Sequence, residues 1–367
     1  MTEVRKRTKY ITRLDQVAQL GASEQAELAP VVDRYAFRLN EYYNDLIDWD
    51  DPADPIRQLV IPNTEELKVF GEWDASDEAS YTVAPGLEHK YGDTALLLVN
   101  NVCGAYCRFC FRKRLFTEEN DEVVNDVSEG LEYIRNHPEI SNVLLTGGDP
   151  LILSTRRLGK IFEQLRAIPH VEIIRVGSKM PAFDPYRILG DPSLLETFEE
   201  HSSTGGKIFL MAHFNHPREL TDVALEGMER VQKAGVTTVN QTPLIRGVND
   251  DPEVIAELFQ RLASAGILPY YLFICRPTAG NDPFVVPVER SLEIYQEARR
   301  KLSGLARQAR LCMSHKTGKI EVVGMTEGPN GRQVILRYHR SPGVDRIGEL
   351  MFFDSDPEAC WFDDYLG

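Results

Sequence analysis

The sequence predicts an α/β protein whose main part is a partial (β/α)6 barrel. Six apolar, β-rich runs recur every 25–40 residues from about residue 94, and amphipathic segments of helical length separate them. Near-continuous apolar strands are typical of a parallel sheet that helices cover. Six units are too few to close an eight-stranded barrel, so we expect one side to stay open. The predicted strands are 95–102, 143–148, 172–178, 208–214, 237–245 and 270–276.

The segments on either side of the barrel have different patterns. Residues 1–90 are predicted to form a helical N-terminal extension, because apolar residues from Leu14 to Asn44 have helical spacing and DPADPIRQLVIP is a proline-punctuated linker. Residues 91–305 contain the barrel. Residues 306–367 are predicted to form a small β-rich segment of short strands joined by PNG and SPGV turns. We expect this segment to cover the open side of the barrel or to contact another subunit.

The composition argues against several classes of protein. Of 367 residues, 43% are hydrophobic and 26% are charged, and the formal net charge is −15. Nucleic-acid binding requires a basic face, which so acidic a chain does not favour. No window approaches 18 uninterrupted apolar residues, and the first residues lack the apolar core of a signal peptide. We therefore expect a cytoplasmic protein without a nucleic-acid or membrane partner.

Three cysteines with the spacing C-x3-C-x2-C are the strongest chemical signal. Cys103, Cys107 and Cys110 lie in NNVCGAYCRFCFRKRLF, directly after the first predicted strand. Three thiolates can hold three irons of a [4Fe–4S] cluster and leave the fourth iron open to a small molecule. This arrangement resembles that of radical S-adenosylmethionine (SAM) enzymes, in which the open iron binds SAM and one electron from the cluster cleaves it to a 5′-deoxyadenosyl radical.

A structural zinc site is the alternative for these cysteines. A distant histidine or one of Cys275, Cys312 and Cys360 could supply the fourth ligand. A chance spacing is a further alternative. The preceding strand, and a second strand that ends in LLTGGDPL about 35 residues later, favour the iron–sulfur interpretation.

The GGDP turn after the second predicted strand is a candidate ligand edge. Glycines there allow a ligand to approach the backbone closely, although a simple strand-to-helix turn has the same sequence. In radical SAM proteins a similar edge binds the amino group of SAM. An aromatic residue before the last cysteine would pack near the adenine, and polar residues at the end of the third strand would contact SAM, unless these side chains serve the core or the surface. The candidate SAM-binding residues are Phe109, Gly147, Gly148, Asp149, Arg175 and Ser178.

Ordered motifs over residues 40–320 resemble the lysine 2,3-aminomutase family. They are DPIRQLVIP, PGLEHKYGDTALLLVNNVCGAYCRFCFRKR, LLTGGDPL, RVGSKMP, HFNHPREL, NQTPLIRGVND and LPYYLFICRPTAG. The resemblance implies a [4Fe–4S] cluster, SAM and pyridoxal 5′-phosphate (PLP). The reaction it implies begins with hydrogen abstraction from the β-carbon of an amino acid bound to PLP, and the nitrogen then moves from C2 to C3. The resemblance also implies a flavodoxin- or ferredoxin-type reductant and a homo-oligomer.

Family roles can be carried over onto matching positions. Arg112 matches the arginine that binds the substrate α-carboxylate, a task that suits a planar guanidinium. Lys319 matches the lysine that binds PLP covalently, with Lys316 as its local rival. Asn240 and Gln241 match a strand end near the PLP phosphate, or they satisfy buried backbone groups.

Three features depart from the family pattern. The family's PLP lysine lies in a glycine-rich loop, whereas this chain has only SHKTGK. Lys90 and Thr94 stand where two basic residues normally hold the PLP phosphate, so one cation is missing. Arg276 stands where the lysine mutases place an acid that binds the distant amine of lysine, and residues 312–314 offer no second acid. Because a cation does not hold an ammonium group, we predict a substrate other than lysine, such as a glutamate-type amino acid. Arg276 could instead pair internally, for example with Asp282.

The sequence thus favours a radical SAM enzyme that moves an amino group on a non-lysine amino acid, with Lys319 and Arg112 as catalytic residues. The alternative within the superfamily is a PLP-free enzyme that acts on another amino acid or on a residue within a protein. The alternative outside the superfamily is a zinc-stabilised structural protein.

Overall fold

The structure is a computed structural model that describes residues 8–117, 120, 122–124, 126–203, 206–329 and 331–367. Residues 1–7 of the predicted N-terminal extension lie outside the described residues. A two-stranded pair, β1 and β2, and one twelve-stranded sheet, β3 to β14, contain the named strands. In chain order the strands are Tyr10–Ile11, Leu39–Asn40, Thr82–Ala84, Leu87–Tyr91, Thr94–Asn100, Asn142–Gly147, Ile173–Ser178, Lys207–Ala212, Thr237–Leu244, Leu268–Ile274, Arg310–His315, Gly318–Gly328, Gly331–Arg340 and Leu350–Asp354.

The α-helices connect these strands in the order that the β-α rhythm predicts. The amphipathic helices α4, α5, α8, α9, α10 and α11 pack their apolar faces on the sheet, where Phe162, Phe198 and Phe259 are among the most buried side chains. In chain order the helices α1 to α11 are Ala22–Arg34, Glu41–Asn44, Pro55–Val60, Ser128–Asn136, Thr155–Arg166, Met180–Phe183, Tyr186–Leu189, Pro192–Ser203, Asp222–Lys233, Pro252–Ser264 and Val288–Lys301.

The strands from β5 to β11 are parallel and neighbour one another in sequence order. The six predicted strands correspond to β5 through β10, so the α/β partial-barrel prediction is confirmed. Polar side chains at the carboxyl ends of these strands meet at one edge, as they do in barrel-like α/β proteins.

The C-terminal strands extend the barrel sheet. β11 pairs with β10 in parallel, and β12, β13 and β14 follow as antiparallel strands. On the other side β4 pairs antiparallel with β5. The hydrogen-bonded sheet therefore continues across both predicted segment boundaries, at 90/91 and 305/306. A change in sequence pattern does not prevent the strands on either side of it from pairing.

The open side of the barrel is bridged by polar contacts between its two ends. The Lys90 ammonium donates to the carbonyl of His315 at 2.8 Å, and the Tyr81 hydroxyl donates to the carbonyl of Lys316 at 2.9 Å. Arg340 also donates to the carboxylate of Asp93. The turn between β11 and β12 thus lies against the first strands of the barrel.

The N-terminal extension forms a second apolar core against the cysteine loop. Tyr43, Ile56 and Leu59 are fully buried there and belong to one cluster with Phe109 and Phe183. Asn40 caps α2 and also donates to the carbonyls of Gly104 and Phe183. The extension therefore supports the loop that follows β5.

Candidate active site

The inner face of the partial barrel encloses a cavity of about 340 Å³. Seven lysine or arginine side chains and three carboxylates line it, although the chain as a whole has a net charge of −15. This excess of positive charge suits ligands with several anionic groups. The charged lining residues are Glu78, Glu88, Lys90, Arg112, Asp149, Arg175, Lys179, Arg276, Lys319 and Arg340.

Cys103, Cys107 and Cys110 line one end of this cavity. Their loop is anchored from outside by Arg108, which donates two hydrogen bonds of 2.9 and 2.8 Å to the buried carboxylate of Glu66. A bidentate pair in a buried site fixes geometry although it gains little stability. The N-terminal extension, which carries Glu66, thereby helps to position the three sulfur atoms.

The separation of the three sulfur atoms argues against a single zinc ion. Tetrahedral zinc with Zn–S bonds of about 2.3 Å brings its thiolates to about 3.8 Å from one another. Among the described residues, the set of three ligand atoms that lie within 4.8 Å of one another is that of His89, His137 and Glu139, and it excludes the three cysteines. Burial raises the pKa of all three thiols, so binding of a metal is the means of making them thiolates.

Gly147 and Gly148 bring the end of β6 into direct contact with the cysteine loop. The N–H of Gly148 donates to the carbonyl of Asn100 at 2.5 Å, and the N–H of Asp149 donates to the carbonyl of Val102 at 2.9 Å. Gly147 has φ +108°, and a Cβ on Gly148 would lie 2.5 Å from backbone atoms of Val102. Glycine is needed here because the two backbone segments touch.

The carboxylate of Asp149 stabilises the GGDP turn through hydrogen bonds inside the protein. Its carboxylate accepts from the Ser178 hydroxyl at 2.8 Å and from the backbone N–H groups of Leu151, Lys179 and Met180 at 2.9, 2.7 and 3.1 Å. Burial raises its pKa to about 6, although these donors act in the opposite direction. The side chains of Asp149 and Ser178 therefore hold the GGDP turn on α6, and the backbone of the turn remains as the ligand edge.

Phe109 lies between the cysteine loop and the barrel wall. It is 6% exposed, lines the cavity and contacts the His213 ring edge-on at a centroid distance of 5.9 Å. Burial and the charge of Lys179 keep the pKa of His213 well below its ordinary value, so the imidazole is neutral. This aromatic pair is an apolar wall beside the cysteines.

Arg112 is buried and is held by two carboxylates. It donates to Glu78 at 2.8 Å through Nη2 and at 3.0 Å through Nε, and it approaches Glu88 at 3.5 Å. A third hydrogen bond of 3.0 Å reaches the hydroxyl of Thr146. Burial would raise the pKa of Glu78, but Arg112 and Arg114 lower it overall, whereas burial and the charge of Glu78 raise the pKa of Glu88. Glu78 is thus the anionic partner and Glu88 the neutral one near pH 7.

Arg276 lies in the cavity near Glu78 but forms no ion pair with a carboxylate among the described residues. Its guanidinium stacks 3.7 Å above the centre of the Phe111 ring and donates to the hydroxyl of Ser76. Burial lowers its pKa to about 10, which leaves it charged at neutral pH. The internal pair with Asp282 is absent, because Asp282 is 3.8 Å from Lys68 instead.

Lys319 projects from β12 into an aromatic part of the cavity. Its ammonium lies 5.5 to 5.7 Å from the ring centres of Tyr91, Tyr271 and Phe273. Burial lowers its pKa to about 7, and the charge of Arg276 acts in the same direction. Half of the lysine is therefore a neutral amine near pH 7, the form that attacks a carbonyl.

Lys316 lies outside this cavity. Its side chain is 51% exposed and its ammonium is 3.6 Å from the carboxylate of Asp363. Because Lys319 lines the cavity and Lys316 does not, the geometry favours Lys319 over its rival.

The remaining candidates for the phosphate of PLP divide into two groups. Gln241 lines the cavity, and so does Lys90, whose pKa is lowered by burial to about 8. Asn240 is fully buried and exchanges hydrogen bonds of 2.8 and 3.0 Å with the backbone of Phe214. The structure therefore places Asn240 among the groups that satisfy backbone atoms, the alternative that the sequence left open.

Arg175 lies further from the carboxyl ends of the strands than the other candidates for SAM contact. Its Nε donates to Asn142 at 2.8 Å, and Asn142 precedes Gly147 by five residues on β6. Arg340, which sequence reasoning missed, lines the same cavity from β13. Besides burial, the charges of Arg175 and Arg340 both lower the pKa of Lys319, so these three side chains lie near one another, whereas Ser178 bonds to Asp149.

Comparison with known proteins identifies the family. A model of the Radical SAM superfamily matches residues 97–259. A protein of Aquifex aeolicus (strain VF5) with a provisional L-lysine 2,3-aminomutase name is 55% identical over 98% of this chain and 96% of its own length. The L-lysine 2,3-aminomutases of Clostridium subterminale and Escherichia coli (strain K12) are 36% and 33% identical over 82% and 74% of this chain, and over 72% and 78% of their own lengths. The chain belongs to the lysine 2,3-aminomutase family.

A solved structure from the same superfamily is also similar. It is a radical SAM methyltransferase from Sphaerobacter thermophilus, with 20% sequence identity and a TM-score of 0.43 over 62% of this chain and 68% of that chain.

Membership of the lysine 2,3-aminomutase family makes this chain a radical SAM enzyme, an isomerase that uses a [4Fe–4S] cluster, SAM, a reductant and a small-molecule substrate. The three thiols, which do not all lie within 4.8 Å of one another, and the glycine edge fit the cluster and SAM. The cavity lysine with its lowered pKa and the surrounding cations fit PLP. Among the described helices, none combines the length and the apolar character needed to cross a membrane.

Gly148→Ala tests the contact between the GGDP edge and the cysteine loop. The added Cβ would meet Val102 backbone at 2.5 Å, so we expect the free energy of unfolding to fall by about 1–3 kcal/mol and iron incorporation to fall with it. Gly227→Ala in α9 is the control, because its Cβ would meet its nearest atoms at 3.8 Å. Denaturant titration and iron and sulfide analysis check the prediction, and equal iron contents in the two variants would contradict it.

Proposed function

We propose that this enzyme moves the amino group from C2 to C3 of an amino acid whose side chain carries a carboxylate, as glutamate does. The observation that carries the proposal is Arg276, a cation inside the cavity that forms no ion pair with any described carboxylate, because nearby Glu78 is held by Arg112 and Arg114. An unpaired cation in a buried site is costly unless a ligand neutralises it. A side-chain carboxylate of the substrate would do so, whereas the ammonium of lysine would be repelled.

The two arginines near Phe111 support a substrate with two carboxylates. The guanidinium carbons of Arg112 and Arg276 lie 4.9 and 3.7 Å from the centre of the Phe111 ring. An amino acid with an acidic side chain would place its α-carboxylate on Arg112 and its other carboxylate on Arg276. Charge-assisted hydrogen bonds to both would fix the β-carbon between them.

Glu78 makes this assignment compatible with the hydrogen bonds of Arg112. Glu78 is shared between Arg112 and Arg114, and Arg114 donates to it at 2.6 Å. When a substrate carboxylate accepts hydrogen bonds from Arg112, Glu78 can keep its ion pair with Arg114. Thr146 would then continue to orient the guanidinium of Arg112.

Lys319 would attach PLP covalently, and Lys90 and Gln241 would lie along the cofactor. PLP, when bound, supplies the π-system through which the nitrogen migrates. Cys103, Cys107 and Cys110 would hold the cluster and the GGDP edge would hold SAM, which together would supply the radical chemistry for removing the hydrogen atom from C3. Phe109, Phe273 and Tyr271 would exclude water from this region, which protects a reactive radical.

The assay that tests the proposal is product analysis with a panel of amino acids. Anaerobically reconstituted enzyme with iron, sulfide, PLP, SAM and dithionite is supplied with glutamate, aspartate, glutamine or lysine, and the 3-amino isomers are separated by chromatography. We expect the 3-amino isomer of an acidic amino acid to form fastest. Faster formation of the lysine product would overturn the proposal, and product from none of them would favour a PLP-free enzyme that acts on another substrate.

Attachment of an aldehyde to Lys319 should depend on pH in a defined direction. Because burial lowers the pKa of Lys319 to about 7, the neutral amine is lost as pH falls through that value. The yield of PLP attached to Lys319 after borohydride reduction should therefore rise between about pH 6 and 8 and level off above that. Peptide mass spectrometry measures the yield, and a rise confined to pH values above 9 would contradict the prediction.

A further inference from the structure

A row of neighbouring side chains crosses the C-terminal strands next to the cavity. In the pairing of β11, β12 and β13, Ser314 lies opposite Lys319, and Lys319 lies opposite Arg340, directly before a shift in the β12–β13 register at Ile320. Directly opposed residues on antiparallel strands have their Cβ atoms about 4.5–5.5 Å apart on the same face. All three residues line the cavity. The register therefore places a guanidinium beside the lysine proposed to bind PLP.

Arg340 reaches across the open side of the barrel. Its guanidinium lies 4.4 Å from the centre of the Tyr91 ring and donates through Nη2 to Asp93, which also accepts from the Thr94 hydroxyl at 2.9 Å. Thr94 is the position at which the family resemblance leads one to expect a basic residue. The structure thus brings a cation from β13 to the place where the cation on β5 is missing.

Arg175 approaches the same region from β7. Its Nε bonds to Asn142, and within the part of the chain that the structure describes, its two terminal nitrogens have no hydrogen-bond partner. Arg175 lies two residues along β7 from Ile173 and pairs with Leu144 of β6, another residue of the cavity lining. The donors of Arg175 are therefore available to an anion in the cavity.

We propose that Arg340 and Arg175 bind the phosphate of PLP in this protein, together with Lys90, and that they replace the basic residue absent at Thr94. This inference rests on the proposed function, since it assumes PLP on Lys319. The phosphate of PLP carries a charge close to −2, so in a partly buried site it needs more than one cation. Two guanidinium groups also supply planar sets of hydrogen-bond donors. The C-terminal hairpin then has a cofactor-binding role in addition to its place in the sheet.

Arg175 would then contact PLP and not SAM, the cofactor that its sequence pattern suggests. Its bond to Asn142 and the nearness of its charge to Lys319 favour contact with PLP. Ser178, at the end of the same strand, bonds to Asp149 beside the cysteine loop. One strand thereby serves both cofactors through residues three positions apart.

The test compares PLP with pyridoxal, which has the same aldehyde but no phosphate. Dissociation constants for both are measured by absorbance of the bound cofactor in the wild type, Arg340→Gln and Arg175→Gln, and borohydride reduction confirms attachment to Lys319. We expect each variant to bind PLP roughly tenfold or more weakly and to bind pyridoxal as the wild type does. Arg340→Lys should recover part of the PLP affinity. Arg337→Gln is the control, because Arg337 pairs with Glu321 and does not line the cavity.

Each outcome of this test is decisive. Unchanged PLP affinity in both arginine variants would overturn the assignment of the phosphate site and leave the proposed function standing. An equal loss of PLP and pyridoxal affinity would also overturn it, since that pattern reports a damaged cavity. Failure of the wild type to attach PLP to Lys319 at all would overturn the cofactor proposal and this inference together.

Discussion

Replacing Arg276 with glutamine is expected to lower kcat/KM for the acidic substrate roughly 30- to 5000-fold. The substitution leaves the side-chain carboxylate of the substrate buried without its cationic partner, and the loss of one partner of a buried charge pair costs about 2–5 kcal/mol. The fold should persist, because the guanidinium stacks on Phe111 and, among the described side chains, donates a hydrogen bond only to the hydroxyl of Ser76. Product formation under anaerobic conditions measures the effect.

Arg310→Gln is the matched control for Arg276→Gln. Arg310 is on β11, its side chain is 45% exposed, and it pairs with Glu321 outside the cavity. Slow cleavage of SAM without substrate should be unaffected in both variants, which separates substrate binding from the radical chemistry. If Arg276→Gln retains wild-type kcat/KM for every acidic amino acid, Arg276 has no contact with the substrate.

Lys319→Ala is expected to reduce aminomutase turnover by at least about 10³-fold. Covalent attachment holds PLP at an effective concentration that free cofactor does not reach, so its loss removes a large part of the catalytic advantage. The cysteine loop is supported by the N-terminal extension and β6, not by β12, so the variant should still assemble its cluster and cleave SAM. Product formation and 5′-deoxyadenosine release are measured in parallel.

Lys316→Ala, three residues away, is the control for Lys319→Ala. Its ammonium is exposed and pairs with Asp363, so turnover should remain near that of the wild type. Loss of turnover in Lys316→Ala with wild-type activity in Lys319→Ala would reverse the assignment of the lysine. Wild-type activity in both single variants would show that turnover does not require a covalent bond between PLP and either lysine.

The barrel was predictable from sequence because its strands are buried on both faces. Continuous apolar runs such as ALLLVNNV and amphipathic helices such as α10 carry that pattern directly, and β5 through β10 lie where the runs predict them. The connection of the C-terminal strands was not predictable. The apolar pattern of β11 shows that it is a strand, but it does not show that its neighbour is β10, since pairing depends on contacts distant in sequence.

The candidate site was predictable where residue types are chemically specific. The three cysteines, the glycine pair and Lys319 stand out in the sequence, and the structure lines one cavity with all of them. Arg340 was missed because it lies in RYHR, where alternation shows a strand face but not its register against Lys319. Glu78 was missed because its segment has no periodic pattern, and only the fold brings it to Arg112.

Residue type alone also left the roles of several side chains open. Asn240 and Gln241 are adjacent, yet strand alternation sends one to the backbone of Phe214 and the other to the cavity. Asp149 resembles a ligand residue in sequence, yet four donors from the protein occupy its carboxylate. Such distinctions depend on three-dimensional neighbours, which a single sequence does not contain.

Hydrogen transfer from C3 of the substrate to SAM-derived 5′-deoxyadenosine measures the choice of substrate most directly. Glutamate and lysine, each deuterated at C3, are incubated separately with the reduced enzyme, SAM and PLP, and 5′-deoxyadenosine is examined by mass spectrometry. A radical aminomutase for an acidic amino acid should transfer deuterium from glutamate to 5′-deoxyadenosine and none from lysine. Deuterium transfer from lysine, with none from glutamate, would contradict the proposal of an acidic substrate.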